Sequence, residues 1–515
     1  MEEYYVVIGD IIKETVSRYK DKPAILSENG TVSFVEVNTR ANRLANALLD
    51  MGLERGDRVT IISRNCNQYR EVYLTAAKVG VVSIPINYRL QKDEISYIID
   101  NARPSIVFTQ QEYIDALKSV CIEKPFIKDL ICFNQDDQGA VKGYEELISA
   151  YPADEPQSSV AEDDLFSIMY TSGSTGKPKG VVHTHRSFYT QFARNINYFG
   201  DYSKKVFLTV MPLSGHAGGS LDLFYFLSGS AIAMLDHFDA TDVFKAIEKY
   251  KVTDIFLVPT SLNFFFHNPD FGKYDISSLD TLLYTGSAMP VELLKKVRQS
   301  MGNIFVQLYG SSESWGISML SKEDHTDINA KKMKSVGRPW PDVEIRIVDE
   351  NDDLKPEGEP GEITVKSDSV MMEYFNLPEI NAVTLKNGWY HTGDMGILDE
   401  DGYLYVTGRK DEMIISGGLH IYPVEIENVI STHPKVLEVA VIGVPDAQWG
   451  ESVKAFVVTR DGASVTEEEL IELCKSKLAS FKKPKSVEFV SSLPKNNSGK
   501  IIKSTLKEKY AGKQQ

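Results

Sequence analysis

Between Arg58 and about Gly310, short runs of branched and aromatic residues alternate with stretches whose apolar positions recur at helical spacing. The runs at 59–63, 81–86, 105–109, 206–210, 231–235, 254–258, 282–285 and 304–308 predict strands. Strand and helix in alternation predict parallel sheets covered by helices. After Gly337 the period changes: 343–348, 362–366 and 403–407 alternate apolar with polar residues and are punctuated by Asp-Gly and Glu-Gly turns, which predicts a small β subdomain. Past Gly408 the pattern becomes mixed, with helices near 423–431, 466–478 and 500–509 and strands at 438–443, 453–459 and 486–490. The expected fold class is α/β: a large N-terminal domain (1–409) of helix-covered, mainly parallel sheets with a small β subdomain, then an α+β C-terminal domain (410–515). The joint falls near Arg409 to Asp411, and no fixed-period repeat is visible.

A chain of 515 residues is too long for one ordinary core, and 42% hydrophobic with 25% charged residues is the balance of a soluble globular protein. The net charge of -16 repels nucleic acid and anionic membrane, leaving local basic patches as the only anion sites. One such run comprises Lys482, Lys483, Lys485, Lys495, Lys500 and Lys503, with a solvated face as the plain alternative. Cys66, Cys121, Cys132 and Cys474 show no C-x-x-C spacing, which argues against zinc or a disulfide framework and fits a reducing cytoplasm. The acidic, amphipathic N-terminus lacks the basic start of a secretion signal and reads as a surface helix. No apolar run reaches membrane-span length, because Asp222 interrupts the best candidate, 221–235.

Residues 171–180 read TSGSTGKPKG and follow the apolar run 165–170. Glycines let backbone N–H groups approach an anion, hydroxyls add donors and lysines add charge, so the decapeptide reads as a loop that grips the phosphates of ATP or a relative. Thr171, Ser172, Gly173, Ser174, Thr175, Gly176 and Lys177 are the candidate contacts; Lys179 reads equally as a surface charge. Gly173 and Gly176 are too close together for a Walker loop, and Pro178 follows the lysine, so a P-loop site is excluded.

At this point the chain resembles the adenylate-forming superfamily of acyl-CoA synthetases, luciferase-like enzymes and peptide-synthetase adenylation domains. Four further stretches agree in the same order: YGSSE (309–313), YHTGD (390–394), GRKDEMIISGGLHIYPVEIE (408–427) and PKNNSGKI (494–501). The resemblance implies a carboxylate attacking the α-phosphate of ATP, then a thiol attacking the acyl-adenylate, with no protein nucleophile. It assigns Mg²⁺ to Glu313 with a hydroxyl such as Thr171. It places adenine against Tyr309 and against Gly286, Ser287 and Ala288, within a nucleotide-contacting run that would include Leu308, Gly310, Ser311 and Ser312. Asp394 and Arg409 are assigned to the ribose, and Lys500 to the bridge between substrate carboxylate and α-phosphate. Asp411 is the matching hinge of a mobile C-terminal lid, and Gly417 with Gly418 lines the pantetheine tunnel. ATP, Mg²⁺ and coenzyme A are thus the expected cofactor and co-substrates.

Acetate-specific relatives place an indole where this chain has Gly310, which implies a deeper acyl pocket. Leu308, Trp315, Met319 and the segment 213–219 are expected to line it, with His216 as either a gate or a hydrogen-bonded structural histidine, since PLSGHAGG carries one residue more than the usual spacing. No arginine is present among them to pair a second carboxylate, so the expected substrate is a medium or long aliphatic acid or an aromatic acid. His185 matches a common family histidine without clear chemistry. The expected activity is an AMP-forming acyl-CoA ligase, since no carrier domain follows within the sequence. A standalone loader of a carrier protein, luciferin oxygenation and a noncatalytic nucleotide-binding regulator stay open, as does a homodimer.

Overall fold

The computed structural model describes residues 6–28, 30–121, 123–134, 141–171, 177–287, 289, 291–327, 330–460, 462–495 and 501–511. Two large sheets form the N-terminal region. In the nine-stranded sheet, a parallel set runs from Phe305–Ser311 through Thr281–Tyr284, Asp254–Leu257, Val206–Thr209 and Ala231–Met234 to Pro23–Ser27. Antiparallel neighbours close both edges: Gly30–Ser33 at one, Trp315–Leu320 and then Arg338–Pro339 at the other. Asp254–Leu257 and Thr281–Tyr284 are buried along their whole length, as expected for strands covered on both faces. The sequence patterns located the parallel strands between 206 and 311 to within about three residues, and missed Trp315–Leu320 and Arg338–Pro339. They did not find the hairpin made by Pro23–Ser27 and Gly30–Ser33, whose short polar second strand has no alternation to reveal it.

The eight-stranded sheet pairs Val82–Ile86, Arg58–Ile62, Ile106–Thr109 and Asp129–Cys132 in parallel, and Leu165–Thr171 with Lys179–Thr184 in antiparallel. A shared apolar core fills the space between the sheets. Asp222 lies inside that core. It accepts from Arg70 at 2.7 and 2.6 Å and from Thr209 at 2.6 Å, which joins helix Asn67–Val79 to helix His216–Leu227. The carboxylate that breaks the apolar run is thus one half of a buried ion pair. No helix among the described residues is long and apolar enough to cross a membrane.

The β subdomain is a five-stranded sheet containing Glu344–Val348, Gly361–Lys366, Trp389–Leu398 and Leu404–Arg409. A single helical turn, Lys410–Glu412, leads to the C-terminal sheet of Ile414–Ser416, Leu419–Ile421, Val436–Asp446, Gly450–Thr459 and Ser486–Phe489. Helices Pro423–Ile430 and Glu467–Lys477 appear where expected, the latter closed by a Thr466–Glu469 capping box. The last helix starts at Lys503 rather than at 500. Four lysines of the run have carboxylate partners: Lys482 pairs with Glu425, Lys485 with Asp446, Lys495 with Glu438, and Lys503 with Glu412 and Glu427, while Lys500 lies outside the described residues. The counter-charges come from other segments, which local charge counting does not see.

Candidate active site

The phosphate loop joins the antiparallel strands Leu165–Thr171 and Lys179–Thr184. Ser172, Gly173, Ser174, Thr175 and Gly176 lie outside the described residues, and so do Ala288 and Lys500. Of the loop's flanks, Thr171 is half-buried, and Lys177 is exposed with its ammonium 5.0 Å from the Tyr97 ring centre. Lys179 lies 4.2 Å from the ring of Tyr374, whose phenol donates to Glu313 Oε1 at 2.8 Å. Tyr374 belongs to Glu373–Tyr374, which pairs with the phosphate strand at Val181 and Val182. Lys179, read from sequence as loop or surface, thus faces the Glu313 side.

YGSSE ends the strand Phe305–Ser311, and Trp315–Leu320 returns antiparallel to it. Its turn is closed by its own hydroxyls: Ser311 N–H meets Ser314 Oγ at 3.3 Å, and Glu313 N–H meets Ser311 Oγ at 3.2 Å. Tyr284 and Gln307 are partners on parallel strands, so the register carries Gly286 and Ser287 to the same carboxyl-terminal edge as Tyr309. That edge is where open α/β sheets bind ligands.

Three separate segments converge there. Tyr309 donates its phenol to Asp394 Oδ2 at 2.7 Å, and Arg409 donates to Asp394 Oδ1 at 2.8 Å. Asp394 and Arg409 are cross-strand partners in the β subdomain, which sets YHTGD and GRKD side by side. Each Asp394 oxygen keeps further acceptor capacity, so the carboxylate is oriented yet able to receive two more hydroxyl donors. Burial, reinforced by the Asp394 charge, pushes the Tyr309 phenol well above its ordinary value and keeps it a donor.

The acyl-side residues also meet. Trp315 is buried with its ring centre 4.0 Å from that of His216, 4.8 Å from His183 and 5.5 Å from Phe188. His216 opens helix His216–Leu227, and the extra residue before it is absorbed in the bend closed by Gly215 N–H to Pro212 O at 3.0 Å. The altered spacing therefore does not move His216 away from Trp315. Its Nδ1 is 3.0 Å from Met169 Sδ, and its Nε2 is buried with no partner among the described residues. Burial, followed by the neighbouring His183, holds His216 well below the ordinary histidine value.

Gly310 needs a different explanation from the one sequence suggests. A Cβ there would stand 1.7 Å from the Trp315 carbonyl oxygen, so glycine is required by the approach of the two hairpin strands. On this backbone its missing side chain does not measure pocket depth. His185, which lacked a role, accepts from Ile8 N–H at 3.3 Å and ties the N-terminal helix to the core. His183, absent from the sequence-based candidates, uses both ring nitrogens at the heart of the site. The only sequence signal is its place in the strand leaving the phosphate loop.

At the joint, the charges beside Asp411 are paired rather than free to swing. Lys410 bonds Glu362 of the β subdomain at 2.7 Å, and half-buried Glu412 bonds Lys503 at 2.6 Å. Arg409 also reaches Asp411 at 3.5 Å. Gly417 and Gly418 form the turn between Ile414–Ser416 and Leu419–Ile421 with φ of +59° and +80°, the left-handed pair of a tight hairpin. A Cβ on Gly417 would meet the Trp449 ring at 2.7 Å, whereas one on Gly418 would meet nothing within 4 Å. Turn geometry by itself thus favours glycine at 418. Among the described residues no group of three or more His, Cys, Asp or Glu side chains forms a metal cluster.

Residues 12–375 match the family model described as AMP-binding enzyme, and 425–500 match the AMP-binding enzyme C-terminal domain. The long-chain-fatty-acid–CoA ligase FadD13 of Mycobacterium tuberculosis is 36% identical, covering 93% of both chains. The fatty acid–[acyl-carrier-protein] ligase ScoC of Streptomyces coeruleorubidus is 32% identical over 95% of this chain and 94% of its own. Feruloyl-CoA synthase of an Amycolatopsis species is 34% identical over 93% and 94%. ATP-bound MatB from Rhodopseudomonas palustris superposes with a TM-score of 0.89 at 27% identity, covering 98% of this chain and 99% of MatB. With both family models matched and such relatives aligned nearly end to end, the chain belongs to the AMP-binding enzyme family, in the acyl-CoA synthetase branch of the adenylate-forming superfamily.

Proposed function

We propose that the protein is an ATP-dependent acyl-CoA ligase acting on a medium- or long-chain fatty acid or an aromatic acid. The observation that carries the reading is the convergence of Tyr309, Asp394 and Arg409 at the carboxyl-terminal sheet edge, beside the phosphate strand. A carboxylate held from both sides suits a vicinal diol, and a phenol held as donor sets the adenine-side wall. In the first half-reaction a substrate carboxylate oxygen bonds to the α-phosphorus of ATP and the bond to pyrophosphate breaks. In the second, the CoA thiolate attacks the adenylate carbonyl and AMP departs. Placement and charge neutralisation do the work, with Lys500 assigned to the first half. Thr171 and Ser172 to Lys177 would grip the phosphates. Glu313 with Thr171 would hold Mg²⁺, which needs few protein oxygens and keeps several waters; when bound it would neutralise phosphate charge. The buried apolar and aromatic surface around Trp315, His216, Phe188 and Leu308 favours an apolar acyl group.

Residues 1–409 would form the nucleotide-binding body and 410–515 a lid that turns about Asp411, bringing Gly417 and Gly418 to the thiol path in the second half. The test is a panel of aliphatic, benzoic and cinnamic acids scored for pyrophosphate release and CoA-dependent AMP formation. Lys500→Ala should lose carboxylate-dependent pyrophosphate release by roughly two orders of magnitude or more and still convert a premade acyl-adenylate with CoA. Equal loss of both half-reactions would remove Lys500 from that role. AMP formation that needs a phosphopantetheinyl carrier protein and ignores free CoA would instead favour a carrier loader, a reading that ScoC keeps in view.

A further inference from the structure

Histidine 183 is fully buried in the strand that leaves the phosphate loop, opposite Ser167 of the strand that enters it. Its Nε2 lies 2.7 Å from the carbonyl oxygen of Ser312, and the indole Nε1 of Trp315 lies 3.0 Å from its Nδ1. A carbonyl only accepts, so Nε2 carries the hydrogen; an indole N–H only donates, so Nδ1 is bare. The two partners therefore dictate one neutral tautomer. Ser187 Oγ, 3.2 Å from Nδ1, has its own obligations in the helix cap, accepting from Thr184 N–H and reaching the Thr184 carbonyl, each at 3.1 Å. Neither nitrogen is available to take a proton from a substrate, which excludes general-base chemistry.

The groups that the imidazole joins belong to different parts of the site. Ser312 directly precedes Glu313, whose carboxylate is already held by Tyr374. Trp315 carries the acyl-side ring cluster and has φ +57°, an uncommon left-handed backbone for so bulky a residue. A conformation of that kind persists only where surrounding bonds over-determine it, and the indole bond to His183 is one of them. We propose that His183 is a positioning residue that locks the phosphate strand, the Glu313 turn and the Trp315 acyl wall into one unit through its Nε2–H tautomer. The proposal rests on the ligase reading for its kinetic consequences and on geometry alone for the tautomer. A single ring fixes both walls, each through its own bond, so the two can be loosened one at a time.

Amide side chains separate the two bonds, because Gln places its nitrogen near the Nε2 position and Asn places its oxygen near Nδ1. In His183→Gln the Ser312 bond survives and the indole loses its acceptor; the KM for the acid should rise roughly tenfold with the KM for ATP nearly unchanged. His183→Asn should show the converse, a roughly tenfold rise in the KM for ATP. A residue that merely fills space would give the same KM values in both variants and a kcat scaled to the folded fraction. That outcome would overturn the proposal. Independently of turnover, ¹⁵N-histidine spectra of the wild-type chain should show the Nε2–H tautomer of His183 at neutral pH, and its Nδ1 resonance should move in Trp315→Phe. An Nδ1–H tautomer, or no response to Trp315→Phe, would refute the geometry. If no acid supports CoA-dependent AMP formation, the ligase reading fails while the spectra still decide the histidine.

Discussion

Replacing Asp394 with asparagine keeps the shape of the side chain and removes its charge. Its two oxygens accept from Tyr309 at 2.7 Å and from Arg409 at 2.8 Å; the amide oxygen must stay toward Arg409, which can only donate, while the new NH2 turns to the Tyr309 hydroxyl, which can accept, so the side chain keeps its place and loses its charge. A hydrogen bond to a charged acceptor contributes about 1.5–3 kcal/mol against about 0.5–1.5 for a neutral pair. For two ribose hydroxyls the loss is roughly 2–3 kcal/mol, or about 30- to 150-fold in kcat/KM for ATP. The sharper assay compares ATP with 2′-deoxy-ATP by acid-dependent pyrophosphate release. The parent enzyme should discriminate against the deoxy nucleotide, and Asp394→Asn should lose much of that discrimination, because the deleted contact is the one the substrate lacks. A thermal melt checks that Arg409, still within reach of Asp411, has not disordered the strand pair. Unchanged discrimination with weaker ATP use would mean that Asp394 acts only by holding Tyr309 and Arg409, and the ribose assignment would fall.

Two further predictions concern stability. Burial holds His183 and His185 down to about 4, opposed weakly by the Ser312 bond and by Asp164 respectively. Between that value and about 6.5 the unfolded chain binds protons that the folded chain does not. Stability is therefore present above the unfolded value and falls with pH, by about 2 kcal/mol for each histidine on going from pH 7 to 5. Denaturant titrations of the parent against His185→Gln should show a shallower pH slope in the variant; parallel slopes would contradict the burial argument. Asp222→Asn leaves the Arg70 guanidinium, 1% exposed, without its counter-charge and should destabilise by about 3–5 kcal/mol, while Arg70→Met combined with Asp222→Leu restores much of the loss. An Asp222→Asn protein that melts with the parent would show that the pair is dispensable.

The motifs were legible because phosphate binding, hairpin turning and strand formation depend on neighbouring residues. TSGSTGKPKG carries its phosphate-loop reading in ten consecutive positions, and the apolar runs mark the parallel strands because both faces of such strands are covered. The pairing of YHTGD with GRKD follows from strand register, which a hairpin-like spacing hints at. At Gly310 and Gly418 the structure adds a local reason for glycine that the motifs do not state: the Trp315 carbonyl excludes a Cβ at one, and a left-handed turn favours glycine at the other.

By itself, then, the amino-acid sequence determined the family and the α/β order of elements, and it marked the segments proposed to hold the nucleotide. Only the tertiary structure decided which distant groups become partners. Tyr309 meets Asp394, His183 meets Ser312 and Trp315, Arg70 meets Asp222, and Lys482, Lys485 and Lys495 find carboxylates of other segments. The physical reason is that apolar periodicity specifies which face of an element turns inward, but not which neighbour it will face. A buried polar group acquires its role from the single donor or acceptor that the packing brings within about 3 Å.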